Sequence, residues 1–392
     1  LLQDLDNLKP AQRIEVPAGW RPAVEFDGSE GTATTNPLGD DEKPDFDKFL
    51  ADAGFDPAEY EIIGDPRTSR WQVASPWPAE PRWLTSYRFR FRKRGALGID
   101  LPTLYAEAKK KSRIRPVEGL ADRALVILFS DLQAGKVDSR GGVEDLIQRV
   151  EETKGRMVAL IKKQKPSKVV FCDVGDIIEN FTNAADLQQL ATNTLSIMEQ
   201  VDLAATIVWD YLKTIAALVP DITYLSVGSN HCQFRINKQR IGKPVDDWGI
   251  HIGRTLARLS KETGLGVKFF EPQPHDESLA HDVFGDGFHI LGLWHGHQAN
   301  RPEGVPEWWR KQAFGNQPVS AATIGVSGHF HHLRVQELGS TPRGSSRFWV
   351  QAATLDNGSG WFRLNSGEDS QPGLVTFALE AGVDFAGTVY KL

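Results

Sequence analysis

Five stretches of this chain end a short apolar run in side chains that can hold a metal ion or carry a proton. Val126 to Asp131 continues into Leu132-Gln133, Lys168 to Gly175 delivers Asp176, and Tyr224 to Ser229 delivers Asn230-His231. Further on come Trp294-His295-Gly296-His297 and, after Ile324 to Ser327, Gly328-His329-Phe330-His331-His332. Carboxylate and amide oxygens mixed with imidazoles are the donor types that divalent ions take. A lone aspartate at such a place is usually a turn or helix cap, and a lone buried histidine is usually satisfied by the backbone. Recurrence at five strand ends is what gives the set its weight. Asp176, behind the buried run Val169 to Asp173, is expected at its centre.

These residues need strands to carry them to a common edge. From Asp122 onward the pattern alternates strand, loop and helix: strands at 124–129, 169–173 and 222–227, and helices at 142–163, 186–218 and 248–263, the second with a break near Asn193. This is the rhythm of a βαβ sheet, in which ligands bind at the carboxyl ends of parallel strands. After Lys268 the chain turns strand-rich, at 267–271, 288–294, 322–327, 334–336, 347–352 and 373–379. A second sheet packed on the first predicts an α/β fold: a layered β-sandwich flanked by helices over residues 121–392. Residues 46–120 read as a small α+β module, with a helix at 46–53 and strands at 60–63, 70–74 and 84–92. Residues 1–45, rich in Pro, Gly, Asp and Glu, read as an extended or poorly ordered arm.

A net charge of −6 argues against wholesale electrostatic coating of nucleic acid, so any polyanion contact must be local. The stretch Arg82 to Arg115 holds eleven Lys or Arg against Asp100 and Glu107. Within it Arg88, Arg90 and Arg92 alternate with Tyr87, Phe89 and Phe91. Two readings stand for this strand: phosphate contact with rings free to stack on bases, or an edge strand with its aromatic face inward. Arg235, Lys238, Arg240 and Lys243 follow Asn230-His231 and read either as a phosphate lane or as a solvated loop. Trp308 and Trp309 read as stacking or packing residues. Cys172 and Cys232 form no disulfide framework, no run is long enough to span a bilayer, and the opening residues lack the build of a signal peptide. A cytoplasmic setting is expected, with no membrane partner.

The order Asp, Gly-Asp, Asn-His, His, Gly-His-x-His resembles the calcineurin-like metallophosphoesterase superfamily over roughly residues 124–362, and with the appended N-terminal module it resembles the Mre11/SbcD-like nucleases of bacteriophages. The resemblance implies two divalent ions, Mn2+ first, with Mg2+, Fe2+ or Zn2+ as alternatives, clamping a phosphoryl group. It implies that Asp176 bridges them. Asp131 and His331 would bind the first ion, with Gln133 where the family usually places histidine. Asn230, His295 and His329 would bind the second, and His231 would be the general acid. Three departures stand out: Gln133 itself, Gly228-Ser229 before the Asn-His pair, and Cys232 where the pattern has an acidic residue. His231 therefore needs an acidic partner from elsewhere. Glu179 and Asn180 read first as helix-capping residues and second as groups that reach substrate, His297 as a reserve ligand and His332 as a loop residue.

The resemblance further implies a DNA phosphodiesterase, an exo- or endonuclease of phage origin working in the host cytoplasm. DNA is its expected partner, contacted by Arg88, Arg90, Arg92, Arg235, Lys238 and Arg240. No ATPase-binding segment is recognisable, and self-association is left open. Two alternatives accompany it: a nucleotide phosphodiesterase or phosphatase, and a nucleic-acid-binding protein with a degenerate centre.

Overall fold

The computed structural model describes residues 22–26, 28, 30–73, 82–93, 117, 121–180, 193–236, 239–360, 363–364, 367 and 370–392. The chain divides into two units, Leu1–Gly98 and Ile99–Leu392.

In the first unit, strands β1 (Ala23–Phe26), β2 (Glu30–Thr34), β3 (Leu38–Gly39), β4 (Tyr60–Val73) and β5 (Arg82–Lys93) form one antiparallel sheet, with helix α1 (Phe46–Asp52) between β3 and β4. β5 pairs with β2, β3 and β4. Three strands of this sheet come from the stretch read as an arm, so that expectation is corrected for residues 23–39. The alternation Thr32, Ala33, Thr34 lets β2 bury Ala33 against the β5 aromatics while its polar neighbours stay at the surface. The two strands expected at 60–63 and 70–74 are one, β4, with a register shift between Ile63 and Arg67 where Gly64 takes φ 68°. Asp45 caps α1, accepting from the Lys48 amide at 2.9 Å.

β5 lies inside the sheet, paired with β4 along one side and with β2 and β3 along the other, so it is not the edge strand of one reading, but its aromatic face does turn inward. Phe89 and Phe91 are buried, and the Phe91 ring lies 5.7 Å from Phe26 and 4.9 Å from Phe55. These rings form the core of the unit and are not free to stack on bases. On the other face Arg90 pairs with Glu30 at 2.5 Å and Arg92 with Glu61 at 2.7 Å, while Arg88 is exposed. Residues 94–116, which hold the rest of the basic run, lie outside the described residues.

In the second unit, β6 (Ala121–Phe129), α2 (Val143–Gln164), β7 (Pro166–Asp173), α3 (Ile197–Ala216), β8 (Asp221–Ser226), the short pair β9 (Arg235–Ile236) and β10 (Gln239–Arg240), α4 (Trp248–Thr263) and β11 (Lys268–Phe270) follow in order. Then come β12 (Leu279–Asp282), β13 (Ile290–Leu293), α5 (Val305–Phe314), β14 (Ile324–Ser327), β15 (Arg334–Ser340), β16 (Ser346–Gln351), β17 (Val375–Glu380) and β18 (Tyr390–Lys391). α3 begins just beyond the break expected near Asn193, where Ser196 and Glu199 form a reciprocal cap at its N-terminus; the part of the expected helical region before that break lies outside the described residues, as do all of 181–192. α4 begins on Asp247, which accepts from the Gly249 and Ile250 amides, and ends on left-handed Gly264.

Two sheets result. One runs β11-β8-β7-β6-β17-β18, parallel from β11 to β6, and the other runs β12-β13-β14-β16-β15, parallel from β13 to β16. Val126, Val170 and Leu225 of the first share one buried core with Leu291, Val326 and Val350 of the second. The opposite side chains of β6 and β7 face a helix: Phe129 and Phe171 lie 5.5 and 6.1 Å from Tyr211 of α3. Burial on both faces explains why these strands read as unbroken apolar runs.

Phe91→Ala should cost about 3–5 kcal/mol, the usual loss for emptying a buried phenylalanine site. Urea denaturation of the full chain measures it, and a loss below about 1 kcal/mol would contradict a core role for this ring.

Candidate metal centre

Parallel pairing decides where the polar residues go. β6, β7 and β8 share a direction, so the turns that follow them, carrying Asp131, Asp176 and Asn230-His231, leave one edge of their sheet. β13, β14 and β16 share a direction too, and their following turns carry His295, His329-His331 and Asp356. The two edges meet. The Asp131 carboxylate accepts from the His329 amide at 3.1 Å, and the His295 ring reaches across to Val174 and Asp176.

The turns are tight enough to force left-handed backbone. Among the described residues eight non-glycines have positive φ, and six of them are Asp131, Gln133, Asp176, Asn180, His329 and His331. Such conformations cost energy and persist where surrounding structure holds them, commonly at functional sites. Gly175, at φ 99°, is required for a second reason: a Cβ there would lie 2.6 Å from Ser229 Cβ and 2.8 Å from His295 Nδ1.

The electrostatic problem lies at His295, which is fully buried beside Asp176. Its Nδ1 is 2.8 Å from the Val174 carbonyl oxygen, which can only accept, so Nδ1 carries the hydrogen. Nε2 is then the lone-pair nitrogen of the neutral ring, and it faces Asp176 Oδ2 at 2.9 Å. Two lone pairs at that distance repel unless a proton or a metal cation lies between them. Without metal, burial pushes the His295 pKa down, but Asp176 outweighs it and lifts it to about 9. With a divalent ion the same backbone-fixed tautomer presents Nε2 as a ligand, the usual arrangement for metal-binding histidine. Asp176, His295 and His329 place one ligand atom each within 4.8 Å of one another, and these O and N donors fit a divalent ion. Burial and the neighbouring His295 drive the pKa of His329 down to about 3, so the ring stays neutral, the form that can bind a metal.

His231 adjoins this group. Its backbone amide donates to Asp176 Oδ1 at 2.9 Å. Nδ1 lies 2.8 Å from the Glu179 carbonyl oxygen and 3.3 Å from Glu179 Oε2, and Nε2 points toward Asp176 Oδ2 at 3.9 Å. Burial lowers the pKa of His231, but Asp176 and Glu179 outweigh it and raise it to about 10. Glu179 thus supplies the acidic neighbour that Cys232, itself buried with its thiol pKa pushed up by burial, does not. Asn230 is half-buried in the same turn.

The Asp131 side is built differently. Gln133 Oε1 accepts from Lys136 Nζ at 2.6 Å, and the same ammonium is 2.6 Å from Asp356 Oδ2. His331 lies between two carboxylates, with Nε2 3.4 Å from Asp131 Oδ1 and Nδ1 3.5 Å from Asp356 Oδ2. The loop carrying Asp356 is tied down by Arg149, which donates to the Leu355 and Asp356 carbonyls at 3.0 Å each. Sequence reasoning assigned no role to Lys136 or Asp356. The signal for Asp356 was present, since Trp349-Val350-Gln351 runs into Thr354-Leu355-Asp356-Asn357-Gly358, another apolar strand ending in a polar turn.

Of the remaining candidates, Arg235 donates to Gln233 Oε1 at 3.1 Å, and Gln233 Nε2 lies 3.4 Å from His297 Nε2. Arg240 is ion-paired with Glu277, and Lys238 lies outside the described residues. Trp309 is core, its Nε1 donating to the Val319 carbonyl at 3.0 Å. Cys172 and Cys232 are both buried and unbridged, and no helix among the described residues is long and apolar enough to cross a membrane.

No protein-family model matches this chain. No curated protein matches it. Among solved structures it is similar to one described as "Structure of PhoD", with 9% identity over 92% of this chain and 83% of that one and a TM-score of 0.34. It is also similar to a protein of unknown function from Aquifex aeolicus, 15% identical over 54% of this chain and 81% of that one, with a TM-score of 0.23. Neither likeness assigns an activity at these values.

If Asp176, His295 and His329 take a divalent ion, Mn2+ at about 100-fold above its dissociation constant should stabilise the folded chain by about 2.7 kcal/mol. Thermal denaturation with Mn2+ and then with chelator measures this. His295→Ala should lose the increment, and an unchanged increment in that variant would place the ion elsewhere.

Proposed function

We propose that this chain is a metal-dependent phosphoester hydrolase, and the observation that carries the reading is His295 Nε2 held against Asp176 by a tautomer fixed at Val174. The two sheets with a common core are read as the layered sandwich of the calcineurin-like fold. A divalent ion on Asp176, His295 and His329 would supply Lewis-acid charge to a phosphoryl oxygen. Manganese is the ion we propose. Asp176, nearly free of solvent, anchors both the ligand histidine and the backbone of His231. With Nδ1 turned to the Glu179 carbonyl, His231 holds its transferable proton at Nε2, the position from which a leaving alkoxide oxygen would take it. The Glu179 carboxylate, 3.3 Å from Nδ1, favours the charged ring that carries that proton.

For the substrate, we propose a DNA phosphodiester. Arg235, joined through Gln233 to His297 beside the centre, gives an anionic backbone a cation close to the scissile position. Exposed Arg88 in the N-terminal unit is a second phosphate contact in this reading. A nucleotide-sized substrate is favoured by a different observation: Arg90, Arg92 and Arg240 are each engaged by a glutamate, which lessens the cationic surface available to a polymer.

Incubation of end-labelled DNA and of bis-p-nitrophenyl phosphate with Mn2+, Mg2+ or chelator separates these readings. Metal-dependent DNA products that Asp176→Ala abolishes, and that Arg88→Ala with Arg235→Ala reduces by weakening DNA binding, are the expected result. Turnover of the small diester alone would select the nucleotide reading, and DNA cleavage persisting in Asp176→Ala would overturn the assignment of this site.

A further inference from the structure

The Asp131 half of the centre does not resemble a vacant metal site. Asp131 has no solvent exposure, and its carboxylate already accepts from the His329 amide and from the Ser130 hydroxyl. Gln133 turns its only acceptor oxygen to an ammonium. Among the described residues, the one set of three His, Cys, Asp or Glu ligand atoms within 4.8 Å is the Asp176 group, and Asp131 with His331 does not complete a second. A cation of the chain itself stands on this side: Lys136, 7% exposed, lies between Gln133 Oε1 and Asp356 Oδ2.

We infer that Lys136 is a resident cation that takes over the electrostatic role of one metal ion, so that the centre binds a single divalent ion on the Asp176 side. The inference rests on the metal-dependent reading above. A buried ammonium is costly to desolvate and is retained only where fixed partners meet it, and here a carboxylate and an amide oxygen at 2.6 Å do so. The identity of residue 133 follows from the same arrangement. An amide offers an oxygen to the ammonium, and a lysine N–H pointed at that oxygen competes with a metal for its lone pairs. A divalent ion entering beside Gln133 would also meet the full charge of Lys136 inside a region nearly closed to water, where screening is weak.

Lys136 then acts in two ways. It neutralises Asp356, which lies 3.5 Å from His331, and so sets the charge that His331 experiences. It also fixes the Gln133 turn, whose backbone amide donates to the Asp176 carbonyl at 2.9 Å, and through that bond it positions the ligand turn. Lys136 is thereby a positioning residue with a fixed charge.

The test is the metal content of the full-length chain. Wild-type protein equilibrated with Mn2+ and freed of unbound ion should carry about one ion per chain by elemental analysis, with an electron paramagnetic resonance spectrum free of Mn–Mn coupling. Gln133→His combined with Lys136→Ala restores an imidazole and removes the competing charge, and its content should double, with coupling appearing. His295→Ala should carry none. Two coupled ions in the wild type would overturn the inference while leaving the metal-dependent reading intact, whereas no bound ion would overturn both. A double variant that retains its first ion and gains no second would show that Lys136 is not what excludes it.

Discussion

The arrangement depends on one buried carboxylate that cannot be left as it stands. Asp176 is 1% exposed and has the lone-pair nitrogen of His295 at 2.9 Å, because the other ring nitrogen is committed to a carbonyl. Removing a charge from water costs several kcal/mol unless a counter-charge meets it. The protein surrounds Asp176 with His295, His231 and His329, and burial, which would raise its pKa, is outweighed first by His295 and then by His231, leaving it well below the ordinary carboxylate range. Without metal a proton on His295 Nε2 meets this carboxylate, and a divalent ion would meet it there as well, since the surrounding turns bring Asp176, His295 and His329 atoms within 4.8 Å of one another.

Those turns explain the architecture around them. Three parallel strands of one sheet and three of the other end where the two sheet edges meet, so a side chain two to five residues beyond a strand end meets partners far away in sequence. Six non-glycine residues there accept left-handed backbone, a strain that the two-sheet core beneath must hold. Arg149 from α2 and Asn357, which donates to the Lys136 and Gly142 carbonyls at 2.7 Å each, fasten the sixth turn to the first.

Much of this was readable in the sequence because buried parallel strands leave an unbroken apolar run, and the polar residue after each run marks an edge. The positions of Asp131, Asp176, His231, His295, His329 and His331 follow from that signal, while α4 at Trp248–Thr263 was legible from its helical pattern. The role of Gln133 did not follow. Its partner Lys136 is three residues on, but the other group that holds this lysine, Asp356, is over two hundred residues away, and only tertiary pairing shows that the amide serves a lysine. Glu179 was hidden for a similar reason: near a turn it reads as a cap, and its contact with His231 is set by where β7 and β8 bring their turns together. In the N-terminal unit the alternation in β5 was legible, but charge alone could not tell arginines that await phosphate from arginines that pair with Glu30 and Glu61 on neighbouring strands.

The most direct examination of the central claim is a crystal of the full chain grown with Mn2+ and measured at the manganese absorption edge, where anomalous scattering locates the ion independently of the refined atoms. An anomalous peak in bonding contact with His295 Nε2 and an Asp176 carboxylate oxygen, with His295 Nδ1 still on the Val174 carbonyl, is the predicted result. A filled crystal with no peak there, or with Nε2 hydrogen-bonded directly to Asp176 as an imidazolium, would contradict it.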